Sequence, residues 1–226
     1  MSDQTTAAAP SKRYVQYGCG LCAPEGWINF DASPRLRFER IPGVSTLAGA
    51  VGKRLFPSNI SYGDIVFGLP LADGSADAAY ASHVLEHLSR KDVTRALANT
   101  FRVLKSGGVF RMIVPDLEWR AQRYLQDKQR GGLNAADDFI KACNIGETDR
   151  ARGGLALLRS AFGNSRHMWM YDLALMSRLL EEAGFADIRR CDFHDSGNPM
   201  FDKVEDHGRF FCDSGEPELA MQARKP

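Results

Sequence analysis

Apolar and polar positions alternate along this chain in two periods, and the switches between them outline a succession of strands and helices. Tyr14-Val15-Gln16-Tyr17 is a short apolar-rich run that ends in the turn Gly18-Cys19-Gly20, and Trp27-Ile28-Asn29-Phe30-Asp31 is a second run that ends in an acid. Helical spacing follows in Val44, Leu47, Ala48, Val51 and Leu55, which predicts a helix after Pro42-Gly43. Ile60 to Val66 reads as a third strand and Leu69-Pro70 to Ser75 as a turn-rich loop. Asp77 to Ala81 reads as a fourth strand, whose alanines imply tight packing on both faces. Val93, Ala96, Leu97, Thr100, Phe101 and Leu104 share one face of an amphipathic helix that is expected to stop at Ser106-Gly107-Gly108, ahead of a fifth strand from Val109 to Val114.

Between Pro115 and Arg166 the pattern becomes helical with no clear strand. Trp119 to Leu125 and Leu155 to Phe162 are its best helical segments, and Gly131-Gly132 and Gly153-Gly154 separate them, so the region reads as a helical insertion, a lid over about 117–165. Asp172 is placed to cap a helix carrying Met176, Leu179, Leu180 and Ala183, ended by Gly184. Ile188 to Phe193 and Leu219 to Ala223 are the last strand candidates. Strands alternating with helices predict an α/β fold with a parallel sheet covered on both faces. The 226 residues suit one domain, expected over 12–226 behind a polar, alanine-rich tail at 1–11 that is expected to be disordered.

Charge and cysteine content narrow the setting. With 29 basic and 28 acidic residues the formal net charge is +1, so no global field recruits nucleic acid or an anionic membrane. No apolar run approaches the length of a membrane span. Five scattered cysteines argue against a disulfide framework and for reduced thiols, hence a cytoplasmic location, which makes the sequon Asn59-Ile60-Ser61 irrelevant.

The candidate chemistry starts at Gly18-Cys19-Gly20. Two glycines let the backbone turn sharply and approach a ligand, and an acid ending the next run suits the diol of an adenosine ribose. A dinucleotide site would carry a third glycine, where Leu21, Cys22 and Ala23 stand, and an acid about 20 residues further on, so Asp31 comes too early for one. An ordinary strand turn is the alternative reading of the glycines.

An ordered series supports the ligand reading: Gly63-Asp64-Ile65, Leu69-Pro70-Leu71, Asp77, His83-Val84-Leu85-Glu86-His87-Leu88 and Val103-Leu104-Lys105-Ser106-Gly107-Gly108. With these residues the chain resembles the class I S-adenosylmethionine-dependent methyltransferases, and within them the broad bacterial type 11 group, from Tyr14 to about Arg224. The resemblance implies a Rossmann-like, mostly parallel seven-stranded sheet with an antiparallel last strand, and the cofactor across the carboxyl ends of the first strands. It implies that Gly18 and Gly20 pass under the methionine portion of S-adenosyl-L-methionine and that Asp31 binds the ribose hydroxyls. Asp64 and the Ile65 backbone would read adenine, and Ser82 would face the methionine end. Tyr17 stands ahead of the first glycine, where the group usually has a more acidic or apolar residue, and is counted with the cofactor contacts. Ser106 replaces the group's usual proline.

His83, Glu86 and His87 spell H-x-x-E-H, which on a helix is a zinc-protease signature. Here the motif follows a strand and continues the methyltransferase block, so zinc is set aside and no metal is expected. His83, at the strand end nearest the expected methyl group, is a candidate base. His87 reads as a core histidine or an acceptor contact. In Arg166-His167-Met168-Trp169-Met170-Tyr171-Asp172 a similar string closes over substrate in the resembling group, which makes His167 a second candidate base and Trp169, Tyr171 and Asp172 acceptor contacts. The alternative is a hydrophobic staple with Asp172 as the cap. Met168, Trp169 and Met170 could also wall water away from the sulfonium. Cys19 and Cys22 read as packing residues, since one pair cannot close a four-ligand site.

The reading is methyl transfer to a hydroxyl of a sugar, glycan or small metabolite, of the kind found in bacterial polysaccharide or secondary metabolism, with no nucleic acid or membrane partner. A nicotinamide-dependent oxidoreductase and a non-catalytic cofactor-binding module are the alternatives. Phe193, Phe201, Phe210 and Phe211 either form a homodimer surface or cover the sheet.

Overall fold

The computed structural model describes residues 12–41, 56–146, 166–212 and 215–226. Its strands are β1 (Tyr14–Tyr17), β2 (Trp27–Asp31), β3 (Ile60–Tyr62), β4 (Ala76–Ser82), β5 (Leu104–Val114), β6 (Ala186–Arg190) and β7 (Leu219–Arg224). They form one seven-stranded sheet in the order β3-β2-β1-β4-β5-β7-β6. β1 to β5 pair in parallel, and β7 runs antiparallel to both β5 and β6, as the resemblance implied. The order reverses between β1 and β4, so a crevice opens at their carboxyl ends, where Gly18 and His83 follow the two strands.

Each face of the sheet has its own cover. Val15, Tyr17, Ala79, Phe110 and Met112 face α2 (Arg90–Val103) and α5 (Leu173–Glu182), which bury Val93, Leu97, Met176 and Leu179 against them. On the opposite face Tyr14, Trp27, Tyr80 and Ile113 meet Phe201 and Phe210 from the carboxyl-terminal segment. The aromatic residues near the carboxyl end therefore cover the sheet, and Phe201 and Phe210 are buried and unavailable to a dimer surface. Each fully buried side chain of this kind contributes roughly 2 kcal/mol. Arg111 of β5 is also buried on that face, with its guanidinium bonded to Glu205 and Asp195.

Several boundaries differ from those expected. β3 stops at Tyr62, where the Gly63 N–H makes the last ladder bond, to the Asp31 carbonyl at 3.1 Å, before the turn closed by the Phe67 N–H on the Asp64 carbonyl at 3.2 Å. α2 ends at Val103, and Gly107 and Gly108 lie in the first part of β5, exchanging backbone bonds of 2.8 and 2.9 Å with Lys225. The glycine pair thus shapes a strand end with Gly107 at φ +76°, and does not cap the helix. β6 is displaced towards the amino end of the expected run because it is an edge strand, mostly exposed, and lacks the apolar alternation that marks a strand.

The insertion is helical where described, with α3 (Leu117–Gln129) and α4 (Ala135–Ala142) joined through Gly131-Gly132. α3 is anchored by Arg120, which makes two buried 2.8 Å bonds to Glu218 just before β7. The expected tail at 1–11, the helix after Pro42-Gly43 and the helix from Leu155 to Phe162 lie outside the described residues. Among the described residues no helix is long and apolar enough to cross a membrane.

Candidate active site

The crevice holds a cavity of about 560 Å³ lined by Tyr17, Gly18, Asp31, Gly63, Asp64, Ile65, His83, Val84, His87 and Leu88, among others. Most residues that the sequence singled out thus meet in one place. A smaller cavity of about 290 Å³ shares Tyr17 and Gly18 with it and adds Gln16, Cys19, Cys22, Tyr80, Ser82, Asp206 and Arg209.

Asp31 ends β2 and is buried. Its Oδ2 accepts the Gly20 N–H at 2.9 Å and its Oδ1 accepts the Ser33 N–H at 2.8 Å. An ionised carboxylate has about four acceptor positions, so two remain for a ligand diol. The same bonds fix the glycine turn to the acid, and Ser33 goes on to cap α1 (Pro34–Glu39). Gly18 sits at φ +63°, and a Cβ there would lie 2.3 Å from Val84 Cγ2, so both conformation and space require glycine. At Gly20, φ is +56° and a Cβ would meet nothing within 4 Å. Asp64 closes a turn by accepting the Val66 N–H at 2.9 Å on Oδ1 and leaves Oδ2 for the cavity. Ile65 is buried in the cavity wall.

Tyr17 lines both cavities. Its side chain turns into the core, where the hydroxyl meets Thr100 Oγ1 of α2 at 3.0 Å, leaving its backbone to the turn. Ser82 is buried at the end of β4 in the wall of the smaller cavity. Arg209 and Asp206, which the sequence did not signal, stand in the same wall, and Arg209 donates to the Ser82 carbonyl at 3.3 Å. They arrive from 126 residues away, which no local pattern reveals.

The histidines occupy the other end. His83 adopts φ +54°, a left-handed conformation that turns the chain out of β4 into the short 3₁₀ turn Leu85–His87. Its Nδ1 faces Glu86 Oε1 at 3.2 Å and its Nε2 faces the Arg209 carbonyl at 3.0 Å. Both contacts are best met by the charged ring, with a proton on each nitrogen. Burial disfavours that charge, but the Glu86 bond and charge and the Arg209 carbonyl outweigh it and raise the His83 pKa. These contacts favour the charged ring over the neutral one, the form in which a histidine acts as a base.

His87 and His167 are different. Their rings meet edge to face at 5.1 Å. His87 Nδ1 bonds to the Arg166 carbonyl at 2.9 Å and His167 Nδ1 to the Cys143 carbonyl at 2.8 Å. A carbonyl only accepts, so each Nδ1 carries a proton, and in the neutral ring the lone pair is on Nε2. Burial holds the His167 pKa below the usual histidine value. The segment is docked by Met168 and Trp169, whose N–H groups both donate to the Glu86 carbonyl, at 2.7 and 3.2 Å.

Other expected acceptor contacts do not face the crevice. Tyr171 is fully buried in the main core, and Asp172 caps α5 by accepting the Leu175 N–H at 2.7 Å. For these two the staple-and-cap alternative describes the structure. Met168 and Trp169 are 60% and 45% exposed, too open to exclude water from a reacting centre.

A strand order with its reversal beside the first strand, an acid at the end of β2 and a glycine turn ahead of it define a doubly wound α/β protein with a cleft at the switch point of its sheet. Residues 38–112 match the family model for a methyltransferase domain. A methyltransferase structure from Methanosarcina mazei, described as S-adenosylmethionine-dependent, is similar over 96% of this chain and 94% of that one, with 16% identity and a TM-score of 0.50. Another from Archaeoglobus fulgidus covers 96% of this chain and 87% of its own, with 17% identity and a TM-score of 0.49. An uncharacterized 37.1 kDa protein in transposon TN4556 of Streptomyces fradiae is 32% identical over 115 residues, 50% of this chain and 32% of that protein. This chain thus spans about a third of that relative's length. The match to the methyltransferase domain model thus lies within residues 38–112, and the Methanosarcina mazei structure shares the fold of nearly the whole chain.

Proposed function

We propose that the protein transfers a methyl group from S-adenosylmethionine to a hydroxyl of a sugar or other small hydroxylated metabolite. The observation that carries this reading is the single cavity joining Asp31, Gly18 and Asp64 at one end to His83 and His87 at the other. The donor set fits the cofactor: Asp31 keeps two acceptor positions for a ribose diol, Asp64 Oδ2 suits the exocyclic amine of adenine, and Gly18 and Gly20 offer bare backbone. Arg209 and Asp206, beside Ser82, suit a methionine carboxylate and amine.

When bound, the cofactor supplies an electrophilic methyl carbon, so the protein's part is to align an acceptor and exclude water. His87 and His167 meet the acceptor end. The end of α4 supports the lid reading of the insertion, because the Cys143 and Asn144 carbonyls that follow it hold His167.

The test pairs calorimetry of S-adenosylhomocysteine with transfer of a labelled methyl group to a panel of hydroxylated and amino acceptors. Removing Asp31 deletes two charge-assisted ligand bonds of about 1.5 kcal/mol each, so Asp31→Ala should bind about 100-fold more weakly. Equal affinity in wild type and Asp31→Ala would overturn the cofactor site, and label appearing only on nitrogen would overturn the hydroxyl acceptor.

A further inference from the structure

We propose that Glu86, His87 and His167 form a binding site for a divalent first-row metal ion at the acceptor end of the cleft, where the ion holds the acceptor through oxygen. The three side chains offer ligand atoms that all lie within 4.8 Å of one another. Glu86 is fully buried, and its Oε2 has no hydrogen-bond partner among the described residues. A buried carboxylate oxygen without a donor is costly, and such an atom calls for an ion or a water to satisfy it.

The surroundings are those that orient metal ligands. His87 and His167 each tie Nδ1–H to a backbone carbonyl and present an Nε2 lone pair, the second-shell bond that fixes a ligating tautomer. Glu86 is steadied in turn by His83, whose Nδ1 meets Oε1 at 3.2 Å, and the carboxylate keeps acceptor capacity for an ion. His87 Nε2 is 3.9 Å from Glu86 Oε1, so side-chain rotations of ordinary size bring the set to bonding distance. The H-x-x-E-H motif therefore does contribute ligands, but with a different membership: the second histidine and the glutamate join a histidine 80 residues on, and the first histidine supports from behind.

Two imidazoles and one carboxylate suit ions such as Zn²⁺, Mn²⁺ or Fe²⁺ and leave coordination positions open. His87 also lines the cofactor cavity, which puts those positions beside the expected acceptor. The proposal rests on the hydroxyl-acceptor reading. An acceptor hydroxyl that meets the ion gives up its proton to water more readily. Its oxygen then forms the O–C bond while the S–C electron pair stays on sulfur. Acceptors with two adjacent oxygens, such as vicinal diols or hydroxy acids, fit such an ion best.

The other acid and histidine grouping, His194, Asp202 and Glu205, provides a control, because Glu205 Oε1 already serves Arg111 and Oε2 the His194 N–H. The experiment is a Co²⁺ titration of untagged, metal-stripped protein, read by visible absorption, with S-adenosylhomocysteine calorimetry on the same samples. One equivalent should bind. Loss of an outer partner alone typically costs 10–100-fold in metal affinity, so His167→Ala should weaken Co²⁺ binding by about 100-fold or more. Glu86→Gln should do the same where it folds, while the partly exposed His167 keeps the test available where it does not. His194→Ala should bind as wild type. No stoichiometric Co²⁺ binding by wild type, unchanged binding in His167→Ala, or loss in His194→Ala would each overturn the site. S-adenosylhomocysteine binding reports separately on the cofactor cleft, so a failure of that reading is distinguishable from failure of the metal site.

Discussion

The two ends of the cleft are built by different means. At the adenosine end the fixing bonds are local: Asp31 holds Gly20 across 11 residues and Ser33 across two, and Asp64 holds Val66 across two. At the acceptor end His83 reaches Arg209 across 126 residues and His87 reaches Arg166 across 79. Strand ends that turn beside one another suffice for the first. The second exists only once two remote segments have docked, so its geometry depends on the buried links that seat them. The adenosine end should therefore tolerate damage elsewhere in the fold, and the acceptor end should not.

The strongest way to break this contrast is at Glu205, whose carboxylate binds Arg111 and the His194 N–H behind the segment that carries Arg209. Both Arg111 and Glu205 are buried, and removing one partner of such a pair leaves the other charge poorly compensated. Glu205→Gln should cost about 3 kcal/mol and lower Tm by roughly 10 °C, with S-adenosylhomocysteine affinity of the folded fraction reduced far less than by Asp31→Ala. Thermal melts with calorimetry below the transition check this. A wild-type Tm would show that the carboxyl-terminal cover is seated by its aromatics alone.

A smaller effect is expected where the two ends touch. Gly18→Ala forces a side chain into a left-handed conformation and against Val84, which leads into the 3₁₀ turn carrying Glu86 and His87. The cost should be about 2 kcal/mol. Adding Val84→Ala removes the clash and not the backbone strain, so urea denaturation should show partial recovery. Full recovery would mean that the conformation itself carries no penalty.

The smallest effect sharpens the role of the ionic cover. Partial burial pushes the Asp195 carboxyl up, but bonds from Arg189, the Asp192 N–H and Arg111 outweigh this and bring it down to about 2. An unfolded aspartate titrates near 3.9. Asp195 therefore favours the fold above about pH 3.9, and its contribution fades as pH falls through about 2. Asp195→Asn should lower Tm at pH 7 by roughly one or two degrees, and the gap to wild type should close towards pH 2. A gap that persists at pH 2 would assign the effect to packing instead of charge.

Legibility in the sequence follows the same division. β1, β2, β4 and β5 carry apolar runs that are buried on both faces, and they were readable within a residue or two, apart from the start of β5. β6 was misplaced because an exposed edge strand has no such run. The acid at Asp31 was legible because its distance from the glycine turn is itself a sequence quantity. Tyr171 was left between two readings because an aromatic beside a helix cap reads alike whether it faces substrate or core, and only its full burial in the cluster that also holds Met176 and Leu219 distinguishes them. Arg209 and Asp206 gave no signal, since nothing near them in the chain points to the cleft.

The sequence by itself determined the α/β order, the glycine turn and the acid set beside it, because each depends on contacts between residues near one another in the chain. The tertiary structure alone decided which histidines keep a lone pair. That property depends on carbonyls supplied by Arg166, Cys143 and Arg209 and on the buried Glu86 carboxylate, and the long-range contacts cannot be located before the chain has closed on itself.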